Sequence, residues 1–367
     1  MKIAIIGAGI SGLSCANELV RLGFSPVIFE KTHQLGDKPG NLLACLRLFM
    51  RGFRTPMEYI WNHYGMNISP LHPIKEMIVN TQGKTLISKA SHGYVFLKGI
   101  SENSIEHQLA SHSNLKIIYD SMIDINKIKN EYEHIVVAMG NNDVPANLGI
   151  WNDSLKSGIR IAKLSGDFKV NTMNMWLNKN YARNGYAYLL PKSPVEAELV
   201  LAVSDIDRND LDFYWKIFTK NEGLNYTILK SDDVNYTIGY PNTTKFGNLY
   251  FVGNNGGMID NFLGFGMIRA IESGILAARA IAGNLDFDRL MQPLIKNVKQ
   301  LGEYRKMLNL LTNKDYDTDL AILRLPVIKH MVYNNPLYKA RFGLLAPKIV
   351  STYKIYKKKL HSKRPDT

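Results

Sequence analysis

The chain has 367 residues, 46% of them hydrophobic, enough to bury a large core spread over two or three domains. Two cysteines, Cys15 and Cys45, exclude a disulfide framework and point to a reducing, cytoplasmic setting, and no run of about 18 apolar residues is present to cross a bilayer. The net charge of +13 and pI near 9.4 ask for an anionic partner, yet no nucleic-acid module is recognisable.

The stretch Lys2-Ile3-Ala4-Ile5-Ile6-Gly7-Ala8-Gly9-Ile10-Ser11-Gly12-Leu13 reads as a buried strand, a glycine turn and the first turn of a helix. A second apolar run, Val27-Ile28-Phe29, closes on Glu30 and Lys31 at the spacing of a dinucleotide-binding fingerprint. Gly7 makes the tight turn, Gly9 lets the backbone approach a pyrophosphate, and Gly12 lets the helix pack on the strand. The N–H groups at the start of that helix, around Ile10 and Ser11, then face the phosphates. Glu30 accepts hydrogen bonds from ribose hydroxyls, which disfavours a 2′-phosphate.

A turn-rich loop, Lys31 to Gly40, leads into a segment from Asn41 to about Tyr64 that reads as mostly helical, with Leu42, Leu43, Leu46 and Phe49 at helical spacing. Ile74–Val79 and Lys84–Ile87 form a hairpin about Thr81-Gln82-Gly83. Gly93–Leu97 adds a strand, Ser104–Ala110 a helix, and Leu115–Tyr119 another strand. Ile135–Val137 runs into Ala138-Met139-Gly140, either an ordinary strand end or a place where small residues let the backbone pass a cofactor. Four strand-like runs follow, Gly158–Leu164, Thr172–Leu177, Gly185–Leu190 and Glu196–Val203, and imply an inserted antiparallel sheet. Leu211–Phe218 reads as a helix.

Leu249–Gly253 is a strand leading through Asn254 and the glycines up to Gly264 and Gly266 into a helix from Met267 to about Ala282. That helix has a small-residue face, Ala270, Ser273, Gly274, Ala277 and Ala278, and its N-terminal N–H groups are free for an electron-rich group. Two glycine loops so far apart in sequence suggest one extended cofactor gripped from two sides. Beyond Asp286 the chain reads as helical, divided by Pro293, Pro326, Pro336 and Pro347. Its basic end, Lys348, Lys354, Lys357, Lys358, Lys359, Lys363 and Arg364 with interleaved Tyr353, Ile355, Tyr356 and Leu360, suits either an anionic membrane surface or a solvated tail.

Together these motifs resemble the FAD-dependent oxidoreductases of the para-hydroxybenzoate hydroxylase fold, and within them the geranylgeranyl reductase family. The resemblance covers roughly residues 1–285 and rests on Gly7-x-Gly9-x-x-Gly12 with Glu30, on Ala138-Met139-Gly140, and on Gly253 through Gly274. It implies FAD held by Gly7, Gly9, Ile10, Ser11, Gly12, Glu30, Lys31, Lys38, Ala138, Gly140, Gly253, Asn254, Gly264, Gly266 and Met267. Asn254 stands where the family has aspartate, and Asn261 where it has proline. Lys38-Pro39-Gly40 is similar to a loop that carries a cysteine in many reductases; here Gly40 takes that position and Cys45 lies beyond it. Asn184–Pro191 is similar to the substrate strand PxxYxWxFP, with Tyr186 and Pro191 matching, Tyr188 in place of tryptophan and Leu190 in place of phenylalanine. The implied substrate residues are Tyr186, Tyr188, Leu190, Pro191 and Cys45.

The expected architecture is therefore α/β: a Rossmann-like FAD-binding domain in three parts (1–57, 91–150 and 241–285), a hairpin (58–90) and an antiparallel β-sheet substrate domain (151–240), and a C-terminal helical region with a basic tail (286–367). The implied activity is reduction of isoprenoid C=C bonds of a prenyl lipid, with reduced nicotinamide or ferredoxin as electron donor and peripheral membrane contact open. Two alternatives stand beside it. One is a flavin monooxygenase or oxidase acting on a small aromatic or amine substrate, against which Ala138-Met139-Gly140 counts because it lacks the Asp-Gly such hydroxylases carry. The other is a non-catalytic prenyl-lipid binder akin to Rab escort proteins and GDP-dissociation inhibitors, against which the intact glycines and Glu30 count. The nine histidines are scattered, no metal-ligand cluster is evident, and no residue is assigned to catalysis.

Overall fold

The computed structural model describes residues 1–37, 42–47 and 55–324. The N-terminal half contains β1 (Ile3–Ile6), α1 (Ile10–Arg21), β2 (Val27–Phe29), β3 (Leu42–Leu46), α2 (Pro56–Tyr64), β4 (His72–Asn80), β5 (Thr85–Leu97), α3 (Ile105–Ala110), β6 (Lys116–Ile118), α4 (Ile125–Ile128), β7 (His134–Val137) and α5 (Asp143–Asn147). There follow β8 (Trp151–Ser165), β9 (Thr172–Trp176), α6 (Lys179–Ala182), β10 (Tyr186–Pro191), β11 (Glu196–Ser204), α7 (Leu211–Asn221), β12 (Thr227–Pro241), β13 (Lys245–Phe246) and β14 (Leu249–Phe251). Three helices complete the described chain: α8 (Met267–Gly283), α9 (Phe287–Leu310) and α10 (Asn313–Leu323).

Two sheets organise these elements. The first, in the order β13-β14-β7-β1-β2-β6, is parallel except for the short β13. Its central strands read as unbroken apolar runs because both faces are covered; all four residues of β1 are buried. Helices α1 and α8 pack side by side on it, so closely that a Cβ on Gly274 would lie 2.2 Å from the Ser11 carbonyl oxygen. This is the physical reason for the small-residue face of α8. At their far ends the two helices are clamped by Glu18, which accepts from Arg21 Nε at 2.7 Å and from Arg279 Nε at 2.6 Å.

The second sheet, in the order β12-β8-β11-β10-β9-β4-β5-β3, is antiparallel except for the β4–β9 pair. Successive side chains of a strand point to opposite faces. On β8 and β11, Ala162, Leu164, Leu199, Leu201 and Val203 form one core with Leu211, Trp215 and Phe218 of α7. Their strand neighbours Leu155, Ile159, Ile161 and Val200 consequently face the opposite way, into a cavity. Arg160 ties helix and sheet together, bonding Asp233 at 2.7 and 2.6 Å and Asp212 at 2.7 Å.

Three local readings are corrected. The segment expected as one helix from Asn41 to Tyr64 contains β3, paired antiparallel to β5, and only then α2. The short apolar run 42–46 carries no period that separates a buried strand from a helix, and pairing with Gly93–Leu97 decides it. A Thr55–Glu58 capping box with Pro56 in the first turn starts α2, and Gly65 in the left-handed conformation ends it. Second, the hairpin and the strand expected at 93–97 are one unit, because β5 runs unbroken from Thr85 to Leu97. Third, Pro293 does not divide the C-terminal region; it lies inside the continuous α9. Pro326, Pro336, Pro347 and the basic C-terminal run lie outside the described residues, as do Lys38, Pro39 and Gly40.

Candidate functional site

A cavity of about 470 Å³ lies between the two sheets. One end is built by the glycine turn after β1, the ends of β2 and β7, and the loop between β14 and α8. Gly7 holds φ +105, and a Cβ there would stand 2.5 Å from the Ala138 carbonyl oxygen, so only glycine fits. Gly12 is closed in the same way, its Cβ position being 2.1 Å from the Gly7 carbonyl oxygen. Gly9 differs, since a Cβ there would meet nothing within 4 Å and would project into open space. Gly7 thus packs the turn against the end of β7 and Gly12 packs α1 against the turn, while the open Gly9 leaves a cradle.

That cradle faces two helix starts. Helices α1 and α8 begin at Gly9 and Gly266, and neither has a side-chain cap or an acidic residue in its first turn among the described residues. Their first-turn N–H groups and positive dipole ends are available to an anion or an electron-rich oxygen. Glu30 borders the same space. Its Oε2 accepts from Ala8 N–H at 2.7 Å and its Oε1 from Thr32 N–H and Oγ1 at 3.1 and 2.9 Å. These bonds fix the carboxylate and leave acceptor capacity for hydroxyl groups.

The loop before α8 is shaped by a buried ion pair. Asp260, 1% exposed, accepts from the N–H groups of Phe262, Leu263 and Phe265 and from Arg269 Nη2 at 2.7 Å. Arg269 also reaches the Met258 and Phe265 carbonyl oxygens. This pair sets the path of Gly264 and Gly266. Asn254 Nδ2 donates to the Gly140 carbonyl at 2.9 Å, joining the second glycine loop to the end of β7.

The other end of the cavity is the face of the second sheet turned away from α7. Leu155, Ile159 and Ile161 of β8, Val200 of β11 and Val234 and Ile238 of β12 give it an apolar floor. Tyr186, Tyr188, Tyr236, Glu198 and Arg305 supply the polar atoms. The rings of Tyr186 and Tyr188 lie 5.9 Å apart, and the Tyr186 hydroxyl donates to the Leu263 carbonyl. Burial pushes the pKa values of all three phenols up, that of Tyr236 to about 12, with Glu198 adding to the effect at Tyr188. They are neutral, proton-carrying groups at pH 7.

Of the residues named from sequence, Gly9, Ile10, Ser11, Glu30, Ala138, Gly140, Tyr186, Tyr188, Gly253, Asn254, Gly264, Gly266 and Met267 all line this one cavity. Gly7 and Gly12 sit behind it as packing glycines. Lys31 is exposed and does not line it, and Lys38 lies outside the described residues. Three residues expected to meet the substrate do not line this cavity. Leu190 shares the face of Tyr186 and Tyr188 but packs beyond the cavity against Met77, Met173 and Met175, and Pro191, on the opposite face, is buried with its carbonyl bonded to His72. Cys45 lies on β3 and lines a separate cavity of about 320 Å³ with Tyr59, Tyr64 and Glu272 on the far side of α8. Burial pushes its thiol up to about 12, so no reactive thiolate is present there. Glu198, Tyr236 and Arg305 escaped the sequence reading. For Arg305 a signal existed, since Val298, Leu301 and Arg305 fall on one helical stripe that is buried.

A family model described as an NAD(P)-binding Rossmann-like domain matches residues 5–41. Among curated proteins, the small chain of glutamate synthase [NADPH] from Halomonas elongata is 57% identical over 35 residues, 10% of this chain and 7% of that protein. The 15-cis-phytoene desaturase of Synechococcus elongatus is 47% identical over 38 residues, 10% of this chain and 8% of that protein. Among solved structures, a geranylgeranyl bacteriochlorophyll reductase-like protein from Thermoplasma acidophilum is similar over 93% of this chain and 95% of its own, with TM-score 0.72 and 18% identity. The flavin-dependent halogenase CmlS covers 97% of this chain and 78% of its own, with TM-score 0.65 and 11% identity. The fold is thus that of flavin-dependent oxidoreductases, shared by enzymes of different chemistry.

Proposed function

We propose that the chain is an FAD-dependent oxidoreductase that reduces C=C bonds of a prenyl lipid or a similarly long apolar substrate. The observation that carries this reading is one cavity with two unlike ends, a glycine cradle under two open helix N-termini and an apolar sheet floor. The cradle fits FAD. Gly9 leaves room for the pyrophosphate, the first-turn N–H groups of α1 and α8 suit its anionic oxygens and a flavin carbonyl, and Glu30 suits the ribose hydroxyls. Asn254, held by Gly140, suits the ribityl chain.

Reduced FAD supplies the hydride for one alkene carbon. The chain's own residues do the rest. Leu155, Ile159, Ile161 and Val200 exclude water and hold an apolar chain extended along the sheet. Tyr186, pinned to the Leu263 carbonyl, and Tyr188 beside it orient that chain against the glycine loop before α8. The hydroxyls of Tyr188 and Tyr236 keep protons on the cavity wall at neutral pH, and Glu198 lies within electrostatic reach of Tyr188. An isolated alkene has no oxygen to polarise, which accords with a floor that carries more aliphatic side chains than polar ones.

Reduced nicotinamide or a ferredoxin is the proposed electron source. The test is incubation of the flavin-loaded protein, reduced with dithionite, with geranylgeranylated lipids under argon. The expected product carries two added hydrogens per reduced bond by mass spectrometry. Unchanged lipid, together with NADPH-dependent oxygen uptake and a hydroxylated aromatic product, would favour the monooxygenase reading that the halogenase likeness keeps in view.

A further inference from the structure

Reduction of a C=C bond takes up a hydride and a proton, and the aliphatic floor of Leu155, Ile159, Ile161 and Val200 carries no acidic hydrogen. A third cavity, of about 230 Å³, lies at the edge strand β12 of the second sheet. Its walls are polar, with Asn141, Asn142 and Asp143 at the start of α5 and Asn235 and Thr237 of β12. Asp143 and Asn235 are exposed, so the hollow opens to solvent, and its amide and hydroxyl walls suit water. Alternation along β12 turns Val234, Tyr236 and Ile238 to the main cavity, and Asn235 and Thr237 the other way. Tyr236 nonetheless reaches both spaces. Gly140, Tyr236, Ile238, Asn254 and Ile259 line the main cavity and the polar one alike, and of these five only Tyr236 carries an acidic hydrogen. Asn254, which donates to the Gly140 carbonyl at 2.9 Å, also hydrogen-bonds the Tyr236 side chain and holds it in this wall. Burial pushes the phenol up to about 12, so the proton is in place at pH 7. Tyr186 is committed to the Leu263 carbonyl, and neither it nor Tyr188 lines the polar cavity.

We propose that Tyr236 is the catalytic acid of the reduction and that the polar cavity is its route to solvent. The inference rests on the reductase reading and adds the source of the second hydrogen. With hydride arriving at one alkene carbon from reduced flavin, the π electron pair of the alkene takes the Tyr236 proton. The O–H bond breaks, a C–H bond forms at the other carbon, and the alkene is reduced by the two electrons the flavin loses. An alkene carbon gaining that pair is a far stronger base than a phenolate, so a neutral phenol is acid enough. The phenolate left behind takes a proton from water in the polar cavity, and bulk solvent replenishes it.

The test uses the full flavin-loaded chain and geranylgeraniol, in wild type, Tyr236→Phe and Tyr236→Ala. Affinity for the alcohol is read from perturbation of the oxidised flavin spectrum, affinity for FAD from titration of deflavinated protein, and reduction from an anaerobic single turnover. Tyr236→Phe should bind FAD and the alcohol within about threefold of wild type yet slow the turnover at least about a hundredfold, the usual worth of a positioned general acid. Tyr236→Ala should be as slow, and p-cresol, which replaces the lost phenol, should speed it at least about tenfold without affecting Tyr236→Phe. Turnover of Tyr236→Phe within about threefold of wild type would overturn the acid and leave the reductase reading standing. So would loss of FAD or the alcohol from that variant, which would make Tyr236 a binding contact, or a slow Tyr236→Ala that p-cresol does not relieve. A wild type that fails to reduce the alcohol would overturn the reductase reading and the acid with it.

Discussion

Replacing Gly9 by valine separates the cradle's role in folding from its role in holding a cofactor. Gly9 has φ −84 and ψ −178, an extended conformation open to any L-residue, and a Cβ there meets nothing within 4 Å. The cofactor-free protein should therefore keep its stability to within about 0.5 kcal/mol, a Tm change of roughly 1–2 °C. The branched side chain, however, fills the space above the first turn of α1. If it displaces a pyrophosphate from two backbone N–H groups, at about 1.5 kcal/mol each for a charged acceptor, FAD affinity falls by about 3 kcal/mol, or roughly a hundredfold. Titration of deflavinated protein with FAD, followed by flavin fluorescence, measures this directly. Gly12→Val is the contrasting control, because its Cβ would stand 2.1 Å from a backbone oxygen and the variant should fail to fold. Gly9→Val protein that binds FAD within about threefold of wild type would refute the placement of the pyrophosphate at this turn.

Four further outcomes are expected. Asp260→Ala strands Arg269 and frees three N–H groups of the loop before α8, and urea unfolding should show a loss of about 3 kcal/mol. Ile159→Trp fills the apolar floor; FAD content measured by absorbance should not change while alkene reduction drops at least about a hundredfold. Cys45→Ala should cost about 1–2 kcal/mol of stability yet keep turnover within about threefold, since its thiol is neutral and lies outside the main cavity. At Glu18, burial works to raise the pKa, but hydrogen bonds from Arg21 and Arg279 prevail and hold it below the ordinary glutamate value of 4.5. Its contribution is thus present above pH 4.5 and lost as pH falls through the folded value, so Glu18→Gln should flatten the decline in urea midpoint between pH 5 and more acid solution.

The glycine end of the cavity was largely legible in the sequence because its constraints are local. Gly7, Gly9 and Gly12 answer to a single turn, and the central strands of a buried parallel sheet read as apolar runs. The α8 start was legible for the same reason, as a glycine loop leading into a helix with a small-residue face. The sheet end depends on contacts between distant segments. The alternation along β8 is visible in the sequence, but which face meets α7 and which meets the cavity is settled only by the packing of Leu211, Trp215 and Phe218. Pro191 lies on the opposite face of β10 from Tyr186 and Tyr188, whereas Leu190 shares their face but packs past the end of the cavity against Met77, Met173 and Met175, a placement set by β4 and β9 and not by the strand's own alternation. Segment 42–46 was misread because five apolar residues satisfy either period, and its partner, Gly93–Leu97, lies about fifty residues on.

The central claim, a reduced flavin that hands its hydride to an isoprenoid double bond beside the Tyr186–Tyr188 floor, is tested most directly by an anaerobic single turnover. Flavin-loaded protein is reduced with dithionite, freed of excess reductant, and mixed with geranylgeranyl phosphate without oxygen. The account predicts return of the oxidised flavin absorbance in step with a product carrying two more hydrogens. Flavin that stays reduced until oxygen is admitted, with the isoprenoid unchanged, would contradict it.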